Sequence, residues 1–288
     1  MRIHKINNLR MPDFNPRSSG FNTKFPGKDL IDSLSPTTLN SIMSTGVGIE
    51  IEVEKAVFVV CPRGWFSTKE GSLRDHGIEF VSKVGLRVEG AYSLLESFLA
   101  SVEKSRKSDP DCFQFTERTS IHIHLDCSLL SEKQIQALLV LYTLVEGPLF
   151  EFGGNHRKYN VFCVPFRDSI INHMGTLGEQ IDNWEKYSAL NLKCLRQYGT
   201  VEFRIMEGTI EIDRIYTWIL LLSLLHHASK QMSLSNIKEI IRDIKSDSQY
   251  REALKKIFYG FVNVLHWSDR DLDSATVDCK LLLEKMER

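Results

Sequence analysis

The chain has 288 residues, with 36 Lys+Arg against 37 Asp+Glu and a formal net charge of -1. Its 42% hydrophobic and 25% charged residues are those of a folded globular protein and exclude wholesale disorder, while the balanced charge gives no long-range pull toward nucleic acid or an anionic membrane. No apolar run reaches the roughly 18 residues that span a bilayer, the first residues lack a secretory leader pattern, and the six cysteines form no C-x-x-C pair, so a reduced cytoplasmic setting is expected.

Residues 1–45 are rich in Asn, Ser, Pro and Thr without sustained periodicity, which predicts an irregular N-terminal extension to a domain spanning 46–288. Clear patterning begins at Gly46. Short segments rich in Ile, Val and Phe that alternate apolar with polar predict strands over 48–60, 77–82, 119–126, 187–192 and 199–206. Leu94, Leu95, Phe98, Leu99 and Val102 recur at helical spacing within 89–104. Ser131 and Gln134 form a capping box that opens a helix through Val145, and Asp213 is positioned to cap another running to about residue 230. The remainder, about 231–288, reads as helical. Strands with one polar face, interspersed with helices, predict an α+β fold in which an antiparallel or mixed sheet is covered by helices on one side.

The polar faces carry the chemistry. The strand period of two puts Glu50, Glu52 and Glu54 on one face of the first strand, opposite Ile49, Ile51 and Val53. The same rule gathers His122, His124 and Asp126 in the third strand, pairs Glu202 with Arg204 in the last, and sets Glu79 opposite Ile78 and Phe80. Each motif alone has an ordinary reading: a solvated sheet face, a hydrogen-bonded histidine pair, or a same-face ion pair worth about 0–1 kcal/mol. Together they do not mix signs as a solvated face does, for five glutamates stand against Arg204. Two carboxylates 5 Å apart repel by roughly 3 kcal/mol at an effective dielectric near 20, so neighbouring strands of this kind call for a bound cation. Hard carboxylate oxygens with an imidazole suit Mg²⁺ or Mn²⁺.

Five segments in order, GIEIE (48–52), KEGSLRDHGIEFVS (69–82), HIHLD (122–126), YSALNL (187–192) and TVEFR with a following Gly-Thr (200–204, 208–209), resemble the amidoligase family of carboxylate–amine ligases, relatives of glutamine synthetase and glutamate–cysteine ligase. The resemblance covers about residues 46–225. It implies a curved antiparallel sheet, like the glutamine synthetase catalytic domain, whose concave face binds ATP and divalent cations. Glu50, Glu52, Glu79, His122 and Glu202 then resemble metal ligands, with Glu52 and Glu202 also serving catalysis. Arg204 resembles the arginine that stabilises phosphate charge, with His124 and Arg157 as further nucleotide-site groups. Glu70, which stands where the family has Asp before Gly-Ser, falls at the substrate with Tyr187 and Asn191.

The implied activity is ATP-dependent amide or isopeptide formation through an acyl phosphate, with a carboxylate and an amine, free or on a peptide or protein, as substrates. Walker and G-x-G-x-x-G cradles are missing, as expected where cations and basic side chains hold the phosphates. Two alternatives stay open at the level of sequence. One is a metal-dependent hydrolase or non-haem iron oxygenase using His122, His124, Asp126 and a glutamate; the other is a binding module that keeps the fold without the chemistry. Neither the identity of the substrates nor the oligomeric state is legible.

Overall fold

Alternating Ile and Glu do make strands here. A computed structural model describes residues 31–56, 60–166, 168 and 177–286. Its centre is a six-stranded sheet of β1 (Val47–Val53), β2 (Trp65–Lys69), β3 (Ile78–Ser82), β4 (Ser120–Asp126), β5 (Leu190–Asn191) and β6 (Thr200–Glu207), in the order β2-β3-β1-β4-β6-β5. Every neighbouring pair is antiparallel. The α+β expectation holds at this level.

One face of the sheet is dry. Ile49, Ile51, Val53, Phe80, Ile121, Ile123, Leu125, Val201, Phe203 and Ile205 are fully buried. Against them and one another pack α2 (Val88–Ser108), α3 (Glu132–Gly153) and α6 (Ile212–Gln231). Beyond these lie α1 (Pro36–Met43), α7 (Leu234–Asp243), α8 (Asp247–Phe258) and α9 (Asp269–Met286); α9 packs on α3, and α1 and α8 on α6. Because α6 is covered by the β4 side of the sheet, by α2 and α3, and by α1 and α8, every residue from Ile215 to Ser229 is buried, which explains its apolar character all round. By length and composition α3 is apolar enough to cross a membrane, contrary to the expectation that no segment would be, but 78% of its apolar window is buried in this core.

Several boundaries differ from the sequence reading. Residues expected to be irregular up to 45 contain α1, capped by Ser35 and followed into the core by Leu39, Ile42 and Met43; residues 1–30 of that extension lie outside the described residues. Asp213 does not cap α6. It sits in the first turn and accepts a hydrogen bond from Tyr92 Oη at 2.7 Å, while the N-cap is Glu211 without a side-chain bond. The strand expected over 187–192 shrinks to Leu190–Asn191. That over 48–60 ends at Val53, with Glu54 bridged to Gln114 and residues 57–59 outside the described residues. β2 was not foreseen: it is an edge strand with all but Trp65 exposed, and so carries no alternating pattern.

Two short helices complete the site's surroundings, α4 (Leu177–Asp182) and α5 (Cys194–Tyr198). Gly199 caps α5 with φ at 71°, a left-handed conformation that turns the chain directly into β6.

Candidate active site

The other face of the sheet collects the polar side chains. Register places Glu50 opposite His122, Glu52 opposite Glu79, and Glu202 opposite both His124 and Asn191. Gly48 lies opposite His124, where a Cβ would come to 3.2 Å from the His124 Cβ, so the missing side chain makes room for the imidazole. The residues line a cleft of about 400 Å³ together with Glu70 and Arg118, with Lys186, Tyr187 and Lys193 exposed at its rim.

His122 is the hub. Its Nδ1 lies 3.2 Å from Glu50 Oε2 and 3.3 Å from Glu202 Oε1, and its Nε2 is 2.8 Å from Ser120 Oγ. The Ser120 hydroxyl donates in turn to Glu52 Oε2 at 2.5 Å. Glu202 also takes a hydrogen bond from Arg204 Nη1 on Oε1 and one from Asn191 Nδ2 on Oε2 at 2.6 Å. Arg204 is oriented a second time, by donation from Nε to the Phe162 carbonyl at 3.3 Å. Glu52, His122, Asn191 and Glu202 are no more than 4% exposed, so these polar groups meet in a dry place.

Electrostatics split the carboxylates. Burial raises the Glu50 carboxyl, but contact with His122 and His124 outweighs it and holds the group well below the usual range. Burial likewise opposes ionisation of Glu202, and the fields of His122, Arg204 and His124 overcome it. Glu79 has no such partner: burial, and then the charges of Glu50, Glu52 and Glu70, push it up to about 8. Burial works against a charged His124 too, yet Glu50 and Glu202 raise it.

Donor atoms of Glu50, His122 and Glu202 lie within 4.8 Å of one another, as do those of Glu52, Glu79 and His122. Ligands about 2.1 Å from one ion are roughly 3.0–3.4 Å apart, so the separations of 3.2 and 3.3 Å around His122 fit a shared divalent cation. A carboxylate pair opposite one another, Glu52 buried and Glu79 half-buried, with Glu79 carrying the strain as a raised affinity for protons, is a second mark of a cation site. The donor set fits Mg²⁺ or Mn²⁺.

The remaining predicted residues divide. Glu70 lines the cleft and accepts bonds from Ser72 N and Oγ. Tyr187 stands at the rim, edge-on to Phe162, four residues from Asn191 inside. Arg157 is not in the cleft: it is 1% exposed and donates from Nε to the Ile205 carbonyl and from Nη2 to that of Arg204, bracing the β6 backbone from behind. Glu54 is buried and accepts from the Arg74 backbone N–H at 2.7 Å. Asp126 is exposed at the end of β4, where it accepts from Ser128 N and Oγ, so it does not join His122 and His124 as a facial triad.

Sequence reasoning missed Ser120 and Cys194. Ser120 was legible, since the alternation through His122 and His124 extends one step back to it. Cys194 was not. The Asn191 side chain accepts from Lys193 N at 3.0 Å and turns the chain, which returns the Cys194 thiol to 3.5 Å from Glu202 Oε2.

Comparison with known proteins bears on the same residues. Residues 109–225 match the family model described as "Putative amidoligase enzyme". The amidoligase match is to a ligase-type enzyme family and agrees with the resemblance read from the motifs. The matched stretch carries β4 to β6 and most of α6, and with them His122, His124, Asn191, Glu202 and Arg204. Glu50, Glu52 and Glu79 precede it, and the sheet brings them to the same cleft. No curated protein matches the chain in a sequence comparison.

Proposed function

We propose that this protein is an ATP-dependent carboxylate–amine ligase with its nucleotide and cations on the open face of a glutamine-synthetase-like sheet. The observation that carries the reading is the meeting of Glu50, Glu52, Glu79, His122 and Glu202, from four strands, beside the oriented guanidinium of Arg204. Glu50, Glu52, Glu79, His122 and Glu202 are the residues that would hold Mg²⁺ or Mn²⁺. When bound, such a cation supplies neutralising charge at the ATP phosphates.

In the first step an oxygen of the substrate carboxylate attacks the γ-phosphorus and ADP leaves, giving an acyl phosphate. In the second an amine attacks the acyl carbon, inorganic phosphate leaves, and the amine gives up a proton as the amide forms. Arg204 has five N–H donors. Nε and Nη1 are committed to Phe162 and Glu202, and Nη2 has no acceptor among the described residues, which leaves it free to donate to a phosphoryl oxygen. Its burial and fixed plane make it a preorganised donor, strongest where charge develops. Arg118, Lys186 and Lys193 give the otherwise acidic cleft a positive margin that suits anionic substrates. Closure of the site from water matters in the second step, where water competes with the amine for the acyl phosphate.

The test is phosphate release from MgATP in the presence of pools of acids and amines, with mass spectrometry of the product. The expected result is ADP and phosphate formation only when acid and amine are both present, abolished in Glu52→Ala and in Glu202→Ala with the fold retained by circular dichroism. Unchanged turnover in both variants would remove these carboxylates from the mechanism.

A further inference from the structure

Glu202 presents two different sides. Its Oε1 faces His122 and Arg204, and its Oε2 faces Asn191 and Cys194. On the Oε2 side, donor atoms of His124, Cys194 and Glu202 lie within 4.8 Å of one another. Unlike the two groups around His122, which offer oxygen and nitrogen alone, this one contains a sulfur. Thiolate, imidazole and carboxylate together suit a borderline-soft cation rather than Mg²⁺.

The spacing agrees. Zn–S bonds of about 2.3 Å and Zn–O bonds of about 2.1 Å at a tetrahedral angle set the two ligand atoms roughly 3.6 Å apart. Cys194 Sγ and Glu202 Oε2 are separated by 3.5 Å. The imidazole is in keeping as well. His124 Nδ1 is 3.0 Å from Thr200 Oγ1, which fixes the ring, while its buried Nε2 lies 3.1 Å from Glu50 Oε1 but makes no hydrogen bond. A buried nitrogen held by an ion pair alone, without a hydrogen bond, can turn to a cation beside a thiol and a carboxylate.

We propose that His124, Cys194 and Glu202 form a second cation subsite, selective for thiophilic divalent ions such as Zn²⁺, and that its occupancy inhibits the enzyme. Three protein ligands leave a fourth position for water, the usual pattern of an open zinc site. Binding replaces the thiol proton, which passes to solvent, with a metal–sulfur bond. It also displaces the Asn191 amide from Glu202 Oε2, the contact that holds this carboxylate toward His122 and Arg204. The inhibitory part rests on the proposed role of Glu202 in the ligase; the binding part does not.

Co²⁺ is the probe for binding, because its bond to a thiolate gives a near-ultraviolet charge-transfer band. The whole chain titrated with Co²⁺ in saturating Mg²⁺ is expected to develop that band, saturating near one equivalent, to keep it in Cys61→Ser, and to lose it in Cys194→Ser. A wild-type protein without the band, or a Cys194→Ser variant that retains it, would overturn the subsite. In the second arm Zn²⁺ is added to the Mg²⁺-supported reaction, and the half-inhibitory concentration, read against each protein's own zinc-free rate, should be at least tenfold higher in Cys194→Ser than in wild type. Equal inhibition of both proteins would overturn the inhibitory role. The cobalt spectrum needs no turnover, so a chain that consumed no ATP would fail the ligase reading while the spectrum still decided the subsite.

Discussion

Glu202 and Arg204 stand two residues apart on β6, and what each does depends on how the other is held. Burial by itself would favour a neutral Arg204, but the charges of Glu202 and Glu52 outweigh it and keep the guanidinium protonated. Its Nε bond to the Phe162 carbonyl then sets the plane. A lysine would keep the positive charge yet lose both the plane and the second donor, because an ammonium is a point charge on a flexible stem. Arg204→Lys is therefore expected to lower kcat by about 10²-fold, the scale seen when one preorganised donor is removed, while ATP affinity stays within about threefold. Steady-state kinetics with an equilibrium nucleotide-binding measurement separate the two. Equal losses in both would assign Arg204 to ground-state binding.

At the scale of elements, the cleft exists because β1, β3, β4 and β6 alternate apolar with polar residues and pair antiparallel, with one register shift between β4 and β6 at Ile121–Ile123. That alternation is why most of it could be read from the sequence. Glu50, Glu52, Glu79, His122 and Glu202 each sit on a strand whose opposite face is apolar, so a period of two suffices to aim them to one side. The failures have physical reasons of the same kind. Asp126 has the right parity but is the last residue of β4, where its exposed carboxylate turns to Ser128. Arg157 lies outside the sheet, and a short 3-10 turn sends its side chain behind β6. Edge strand β2 lacks the one-sided pattern that sequence reasoning needs. Register also makes a prediction at Gly48. Valine suits a strand, so Gly48→Val should fold, but its side chain must press on His124 from across β1 and β4. Divalent-cation affinity, measured by calorimetry, should fall at least tenfold with secondary structure unchanged. Wild-type affinity in that variant would show that the open space at Gly48 does not matter.

Across the whole molecule, a cleft of converging carboxylates links stability to pH and to cations. Glu79 in the folded chain is pushed up to about 8, against 4.5 for an unperturbed glutamate, so between those values the folded state binds more protons than the unfolded one. Stability from this group is fully present below about pH 4.5 and is lost as pH rises through 8. His124, raised above its ordinary 6.5, acts with the same sign, its contribution declining as pH climbs past its folded-state value. Glu50 and Glu202 are lowered and ionised in both states over this range, so they leave the trend alone. In EDTA the melting temperature should therefore fall from pH 6 to pH 9. Glu79→Gln, which cannot ionise, should show a smaller fall; His124 and the buried thiols of Cys127, Cys163 and Cys279, all raised, add to what remains, and His226 and His227, lowered by burial, oppose it. If Glu79 holds Mg²⁺ as proposed, binding expels its proton, so Mg²⁺ competes with protons below pH 8 and binds most tightly above it. At about 100 times its dissociation constant a ligand adds roughly 2.7 kcal/mol, or about 4–5 °C for a chain of this size, and this gain should be larger at pH 9 than at pH 6. Thermal melts at both pH values, with EDTA and with Mg²⁺, in wild type and Glu79→Gln, read the Glu79 contribution and the Mg²⁺ gain. A melting temperature indifferent to Mg²⁺ at pH 9 would mean that the carboxylates are not brought together to hold a cation.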